Sequence, residues 1–314
     1  MLLKKLPYPI AGLALGLASL GNLLLSYGRD LRFAMGALSA LIILALVAKS
    51  IAHPNELRSA LSTGPVAAVL PTFSMSLSLL SAYIRPELPE VSLALWWMSL
   101  ALHLFLLLSF TLKHVVPFAA GKVIPSWFIP FVGIGIFSIT APAFGQRALG
   151  QALFWLALAA YGALLPAVLY RLFVIKGIPP ALLPTTAILV VPSSLTLVGY
   201  LNSFQQRNLG LVYTLLALTA LAMVVVLFKT PSLLRLPFAP SYSAFTFPFV
   251  IAAIALKSGS AFLHQSGRGI PLLPSSIVLL EVWAVAIVGY VIFRYGVFLF
   301  SGPQAVQPTT PINR

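Results

Sequence analysis

The stretch "SAFTFPFVIAAIALK", residues 243–257, is apolar enough to sit in lipid, yet Pro248 stands in its middle and Lys257 at its end. Its meaning depends on the rest of the chain. Of the 314 residues, 60% are hydrophobic and only 8% are Asp, Glu, Lys or Arg, with a mean hydropathy of +1.02. A water-soluble domain carries about 25% charged residues, because even a large core must be wrapped in polar surface. The chain therefore reads as an all-α integral membrane protein with the lipid bilayer as its solvent. Residues 243–257 then belong to a membrane helix that is bent and ends on a charge.

A helix needs about 20 apolar residues to cross the hydrocarbon core. Ten such runs are found, at 8–27, 33–52, 66–84, 91–112, 127–145, 150–171, 184–202, 209–228, 241–260 and 274–296. They use up the chain as a single ten-span domain over 1–314, with a short polar C-terminal tail at 303–314. The first run follows Lys4 and Lys5, but it is too long for a signal peptide and lacks a convincing cleavage site, so it reads as a retained span. Short links such as "RPELPE" and "SFQQRN" alternate with longer ones such as "HPNELRSALSTGP", which predicts five helical hairpins in series. Twelve of the nineteen Lys and Arg residues fall on the side shared by the termini and seven on the other. Positive residues concentrate in cytoplasmic loops, so both termini are expected in the cytoplasm, and the membrane is expected to be the inner (plasma) membrane.

The net charge of +14 would suggest nucleic acid in a soluble protein. Here the bases stand singly at the ends of apolar runs, as membrane topology requires, and no nucleic-acid partner is expected. The scarcity of acids is the more telling feature, since a path rich in positive potential and poor in carboxylates favours small anions. With no cysteine and four histidines far apart (His53, His103, His114, His264), neither a metal site nor a cofactor is expected. An intramembrane enzyme would need a catalytic cluster, and the only aspartate, Asp30, lies in a loop while the span serines have no adjacent base. The chain does not read as an enzyme.

Pro71, Pro130, Pro192 and Pro248 recur at intervals of 56–62 residues, one per hairpin and always in an odd span. A repeat of this kind is architectural. An interior proline leaves a carbonyl without its helical partner and bends the helix. In lipid that carbonyl must be satisfied by protein or water. The odd spans are thus predicted to lie inside and to line a path, with the prolines as their kinks. The candidate lining residues are Gly12 and Gly16 on span 1, Ser74 and Ser78 on span 3, Gly133 on span 5, Ser193 and Thr196 on span 7, and Thr246 on span 9. Small and hydroxyl residues also serve plain helix packing.

The order of ten spans, the kinked odd helices, the early "GLALGLA" and above all Thr246-Phe247-Pro248 within "SAFTFPFVIAAIALK" resemble the tellurite-resistance/dicarboxylate transporter family. Its members include the bacterial protein TehA and the slow-type anion channels of plant guard cells. The resemblance covers nearly the whole chain, and the Thr-Phe-Pro triplet looks closer to the plant channels. It implies a homotrimer in which five inner helices of each protomer surround a separate pore, and it implies that Phe247 plugs that pore. Ala14 stands where the family often has a proline in span 1. The implied activity is an anion channel or uniporter for chloride and nitrate. The alternative is a secondary exporter of C4-dicarboxylates or of oxyanions such as tellurite.

Physics is consistent with such a plug. Phe247 lies about seven residues, roughly 10 Å, into its span, where a hydrophobic ring excludes water and blocks ions without a charged gate. Phe245 and Phe249 point to other faces and are assigned to packing. Lys257, near the outer end of span 9, and Glu281, in span 10, fall at similar depth. Lys257 either pairs with Glu281, snorkels outwards, or attracts anions to the outer mouth. His103, in span 4, is expected to hydrogen-bond between helices.

Overall fold

The computed structural model describes residues 2–116, 118–271 and 273–301, so the tail at 303–314 lies outside the described residues. Among the described residues the fold is entirely helical. Eight helices are long and apolar enough to cross a membrane, nine if one bent pair is a single span, and a shorter apolar helix precedes them. They coincide with the ten apolar runs. We label them α1 (Tyr8–Leu24), α2 (Arg29–Ala52), α3 (Gly64–Ile84), α4 (Pro89–Val115), α5 (Pro125–Val132 plus Gly135–Phe144), α6 (Arg147–Ile175), α7 (Pro180–Ser203), α8 (Leu209–Leu234), α9 (Pro240–Gln265) and α10 (Leu273–Phe300).

Odd and even helices bury different amounts of surface. Over their most apolar stretches α3, α7 and α9 are 67%, 78% and 67% buried, whereas α2, α4, α6, α8 and α10 are only 22–33% buried. The even helices expose large apolar side chains, among them Leu44, Phe105, Trp155 and Phe228. Water would not tolerate a surface of that kind on a monomer; hydrocarbon does. Each even helix packs on the odd helix before it, and the odd helices close a ring in the order α1, α3, α5, α7, α9 and back to α1.

Close contact in lipid needs small residues and polar cross-links, since apolar side chains gain little from leaving lipid for a helix surface. The α1 helix supplies both. Its glycines admit α9: a Cβ on Gly12 would meet Ser243 Oγ at 2.9 Å, and one on Gly16 would meet Thr246 at 2.5 Å. Its carbonyls, each with a second lone pair to offer, accept hydroxyls from three neighbours. Ser39 donates to Ala14 O (2.7 Å), Tyr83 to Ala18 O (2.5 Å) and Thr246 to Gly12 O (2.9 Å). Links of the same kind join α5 to its neighbours, as Ser203 Oγ donates to Ser138 O (2.6 Å) and Trp96 Nε1 to Thr140 Oγ1 (2.8 Å).

The prolines act differently from simple mid-helix kinks. In α7 the chain runs as a 3₁₀ helix over Pro180–Val190 and turns α-helical at Val191, so Pro192 occupies the first turn. The same change occurs in α9, from 3₁₀ over Pro240–Phe245 to α from Phe247, just before Pro248. In α3 the α-helix restarts at Pro71 itself. At these places proline costs little, because the amide it lacks would have no partner in a first turn anyway. Each of these breaks falls beside a proline, and in α7 and α9 its form is a tight helix handing over to a regular one rather than a mid-helix kink. Pro130 instead lies in the five-residue segment Phe128–Val132, and α5 bends by 46° between Val132 and Gly135.

Candidate functional site

A cavity lies beside the breaks of the odd helices, with Gly133, Val191 and Pro248 among its lining residues. Among the described residues its walls come from the odd helices: Gly12 and Leu15 of α1, Thr72 and Met75 of α3, Gly133 at the bend of α5, Ile188 of α7, and Phe247 with Pro248 of α9. The volume is about 40 Å³, room for a few waters at most, since one water takes ~10–15 Å³ by this measure. The walls are almost wholly apolar, and among the described residues Phe247, 5% exposed, is the one aromatic ring on them.

Towards the amino-terminal ends of the odd helices the cavity widens into a vestibule of about 450 Å³, with Val69, Thr185 and Ser241 shared between the two. First-turn residues of α1, α3, α7 and α9 wall it, together with Lys49 and Glu56. Helix N-termini carry roughly half a positive charge each, so this mouth favours negative ions.

Other hydroxyls from the sequence reading serve the breaks. Ser74 Oγ lies 2.8 Å from Pro71 O, Thr196 donates to Pro192 O (2.7 Å), Thr246 also lies 2.7 Å from Ser243 O, and Ser193 lies 3.4 Å from Val190 O. Ser78 meets Thr140 Oγ1 at 2.9 Å. These groups satisfy carbonyls beside the breaks or cross-link inner helices; Gly12 and Gly133 line the cavity, and Gly16 packs against Thr246. Phe245 is buried edge-on against Tyr242, and Phe249 against Trp283.

His103 carries more structure than its place on an outer helix suggested. It is fully buried. A carbonyl can only accept, so Nε2 carries the proton and donates to Pro130 O (3.1 Å), while Nδ1 lies 3.0 Å from Ser74 Oγ. One imidazole thereby ties α4 to two inner helices beside their prolines. Spacing gave no sign of this, because the partners lie 29 and 27 residues away. His103→Leu leaves the Pro130 carbonyl buried without that donor, a loss of about 1–3 kcal/mol. A lower melting temperature in detergent, partly restored by His103→Gln, is expected; an unchanged melting temperature would count against the role.

Lys257 and Glu281 are brought together at the far end of α9. Lys257 Nζ lies 2.7 Å from Glu281 Oε1 and 2.8 Å from Ser26 Oγ, and Tyr27 donates to Glu281 Oε2 at 2.6 Å. The carboxylate that accepts Tyr27's proton raises the phenol's pKa above its ordinary value. Glu281 is buried while Lys257 remains half exposed. The cluster ties α9 and α10 to the α1–α2 turn and stands outside the cavity.

At the vestibule, hydrogen bonding to Lys49 holds the Glu56 carboxyl below its ordinary pKa. A lowered carboxylate pKa contributes stability above the unfolded value and loses it as pH falls through the folded value. The melting temperature of wild type should thus exceed that of Glu56→Gln at neutral pH. The gap should close as pH drops below the ordinary 4.5. A gap that is the same at pH 3 and pH 7, or absent at both, would contradict this.

A ring of buried odd helices inside a ring of apolar, exposed even ones, around a largely apolar cavity, defines an all-α integral membrane protein. The chain belongs to the SLAC1 family of voltage-dependent anion channels, whose family model matches residues 6–301. No curated protein matches the chain significantly. The family is one of membrane channels and transporters that act on small anions.

Proposed function

We propose that the protein is a channel or uniporter that passes small inorganic anions such as chloride and nitrate along the axis of the inner ring, with Phe247 as the plug. The observation that carries this reading is the cavity itself. Among the described residues all five odd helices and none of the even ones line it, and Phe247 lies on its wall. Selection follows from the helix N-termini at the mouth, where Lys49 is paired with Glu56, and from the lack of any acid among the described residues that line the inner cavity.

The rival reading is a coupled exporter of C4-dicarboxylates or oxyanions such as tellurite. Proton coupling calls for a titrating group on the path, whereas Glu281 is held in its cluster and His103 bridges two inner helices from outside. The channel reading is therefore preferred. By the same reading both termini are cytoplasmic, the vestibule faces the cytoplasm, the membrane is the inner (plasma) membrane, and the protein works as a homotrimer of separately conducting protomers packed through even helices.

Flux from proteoliposomes tests the proposal. Purified protein should release chloride and nitrate down their gradients without any imposed proton gradient, and should not release potassium. Efflux that requires a pH gradient, or that carries dicarboxylate but not chloride, would favour the exporter.

A further inference from the structure

One charge pair stands at the mouth of the cavity, and its two members are held very differently. Lys49 is 3% exposed, and its ammonium donates to Lys4 O (3.1 Å), Leu6 O (2.8 Å) and Glu56 Oε2 (2.7 Å), with the Tyr8 ring 5.2 Å away. Two backbone carbonyls thus fix its position whether or not the carboxylate is there. Glu56 is 34% exposed. It belongs to the nine-residue helix Pro54–Ser62 between α2 and α3. That helix turns Glu56, Ser59 and Ala60 towards the vestibule and Leu57 and Leu61 into an apolar crevice beside α4.

Lys49 and Glu56 are the two ionisable acid and base side chains in the vestibule wall among the described residues. For an anion path they work against each other. The ammonium draws anions in, while the carboxylate repels them and also occupies the place beside Nζ that an anion would take. A buried ammonium with one of its three protons turned to a solvent-reachable vestibule is a built anion seat, and Glu56 already sits in it.

We propose that Lys49 is the anion-binding site of the vestibule, for a small inorganic anion or a carboxylate, and that Glu56 is its built-in competitor. The inference rests on the channel reading above. An arriving anion replaces one negative partner of Lys49 by another, so the buried charge is never left unpaired, and the displaced carboxylate returns to water. An ion pair open to solvent on one side is screened and weakly held, which keeps the exchange within reach of ordinary salt concentrations. The groups facing Glu56 are Lys49, His53 and Lys4. They keep its carboxyl ionised at neutral pH, so anion concentration rather than pH sets occupancy.

The test is best made in the Phe247→Ala background, varying chloride on the side that carries the amino terminus. Glu56→Gln should lower the chloride concentration at half-maximal current about fivefold, the change expected for losing a partly exposed competitor. Glu56→Asp should behave nearly as wild type. Raising chloride on the opposite side should give no such difference. An unchanged half-maximal concentration, or an equal change from both sides, overturns the proposal.

A second readout needs no current. Chloride should raise the melting temperature of purified Glu56→Gln more than that of wild type, as ligand binding to the native state must. Equal shifts would remove the Lys49 site even if the channel conducts. A larger shift in a protein that carries no current would keep the site and remove the channel.

Discussion

Replacing Phe247 by alanine is expected to raise anion current by tenfold or more, the largest functional effect of any single change in the chain. The ring lines a cavity of about 40 Å³ whose other walls are already apolar; in the proposed reading, the obstacle to an ion is the cost of entering a dry constriction there. Opening the constriction enough to admit water removes that cost, and only about 1.4 kcal/mol off the barrier gives a tenfold rise. The effect should follow the size of the side chain, with Phe247→Leu between alanine and wild type. Phe245→Ala and Phe249→Ala remove rings packed against Tyr242 and Trp283 and should lower stability without opening the path. Voltage-clamp recording of the four variants separates these outcomes. Equal currents from wild type and Phe247→Ala, with both at the membrane, would mean that the ring is not the plug.

The largest effect on folding is expected at Gly16. A Cβ there would lie 2.5 Å from both Cβ and Oγ1 of Thr246 and 3.1 Å from the Phe247 amide. None of these can retreat easily, because Thr246 is pinned by its bond to Gly12 O and the amide belongs to the start of the α-helical part of α9. Overpacking of a tight contact costs about 1–3 kcal/mol and sometimes more, and Gly16→Leu lies at the upper end. It should melt well below wild type or fail to accumulate. Gly289→Leu is the control, since a Cβ on Gly289 meets nothing within 4 Å. Similar melting temperatures for the two leucine variants would show that the α1–α9 approach is not as close as described. Gly16 also sets where Phe247 stands, so Gly16→Ala should alter conductance even where the protein folds.

Much of this architecture was legible in the sequence because lipid imposes strong rules. The apolar runs had to be helices, their approximate ends followed from charges and turn residues, and the spacing of Pro71, Pro130, Pro192 and Pro248 marked the odd spans as different. Burial of the odd helices follows that division. Local backbone form was less legible. The eleven-residue 3₁₀ segment Pro180–Val190 is much longer than such segments usually run. Its apolar sequence fits a 3₁₀ and an α-helix equally well. The hydroxyls of Ser74, Thr196 and Thr246 looked suited to a path, yet they bind carbonyls beside the breaks, a use that depends on where each helix restarts. His103 was expected to bond between helices, but its partners could not be named, and Lys49 gave no sign of its role, because the partners of both come from distant parts of the chain.

The central claim is that anions travel through the ring of odd helices. The chain has no cysteine, so a single introduced thiol reports one position without background. In the Phe247→Ala protein, Ile188→Cys places a thiol on the cavity wall and Leu44→Cys places one on a lipid-facing even helix, where Leu44 is 63% exposed. A small negatively charged thiol reagent, added while anion current is recorded, should abolish the current through Ile188→Cys and leave that through Leu44→Cys intact. Undiminished current through an Ile188→Cys protein shown by mass spectrometry to be modified would place the anion path elsewhere.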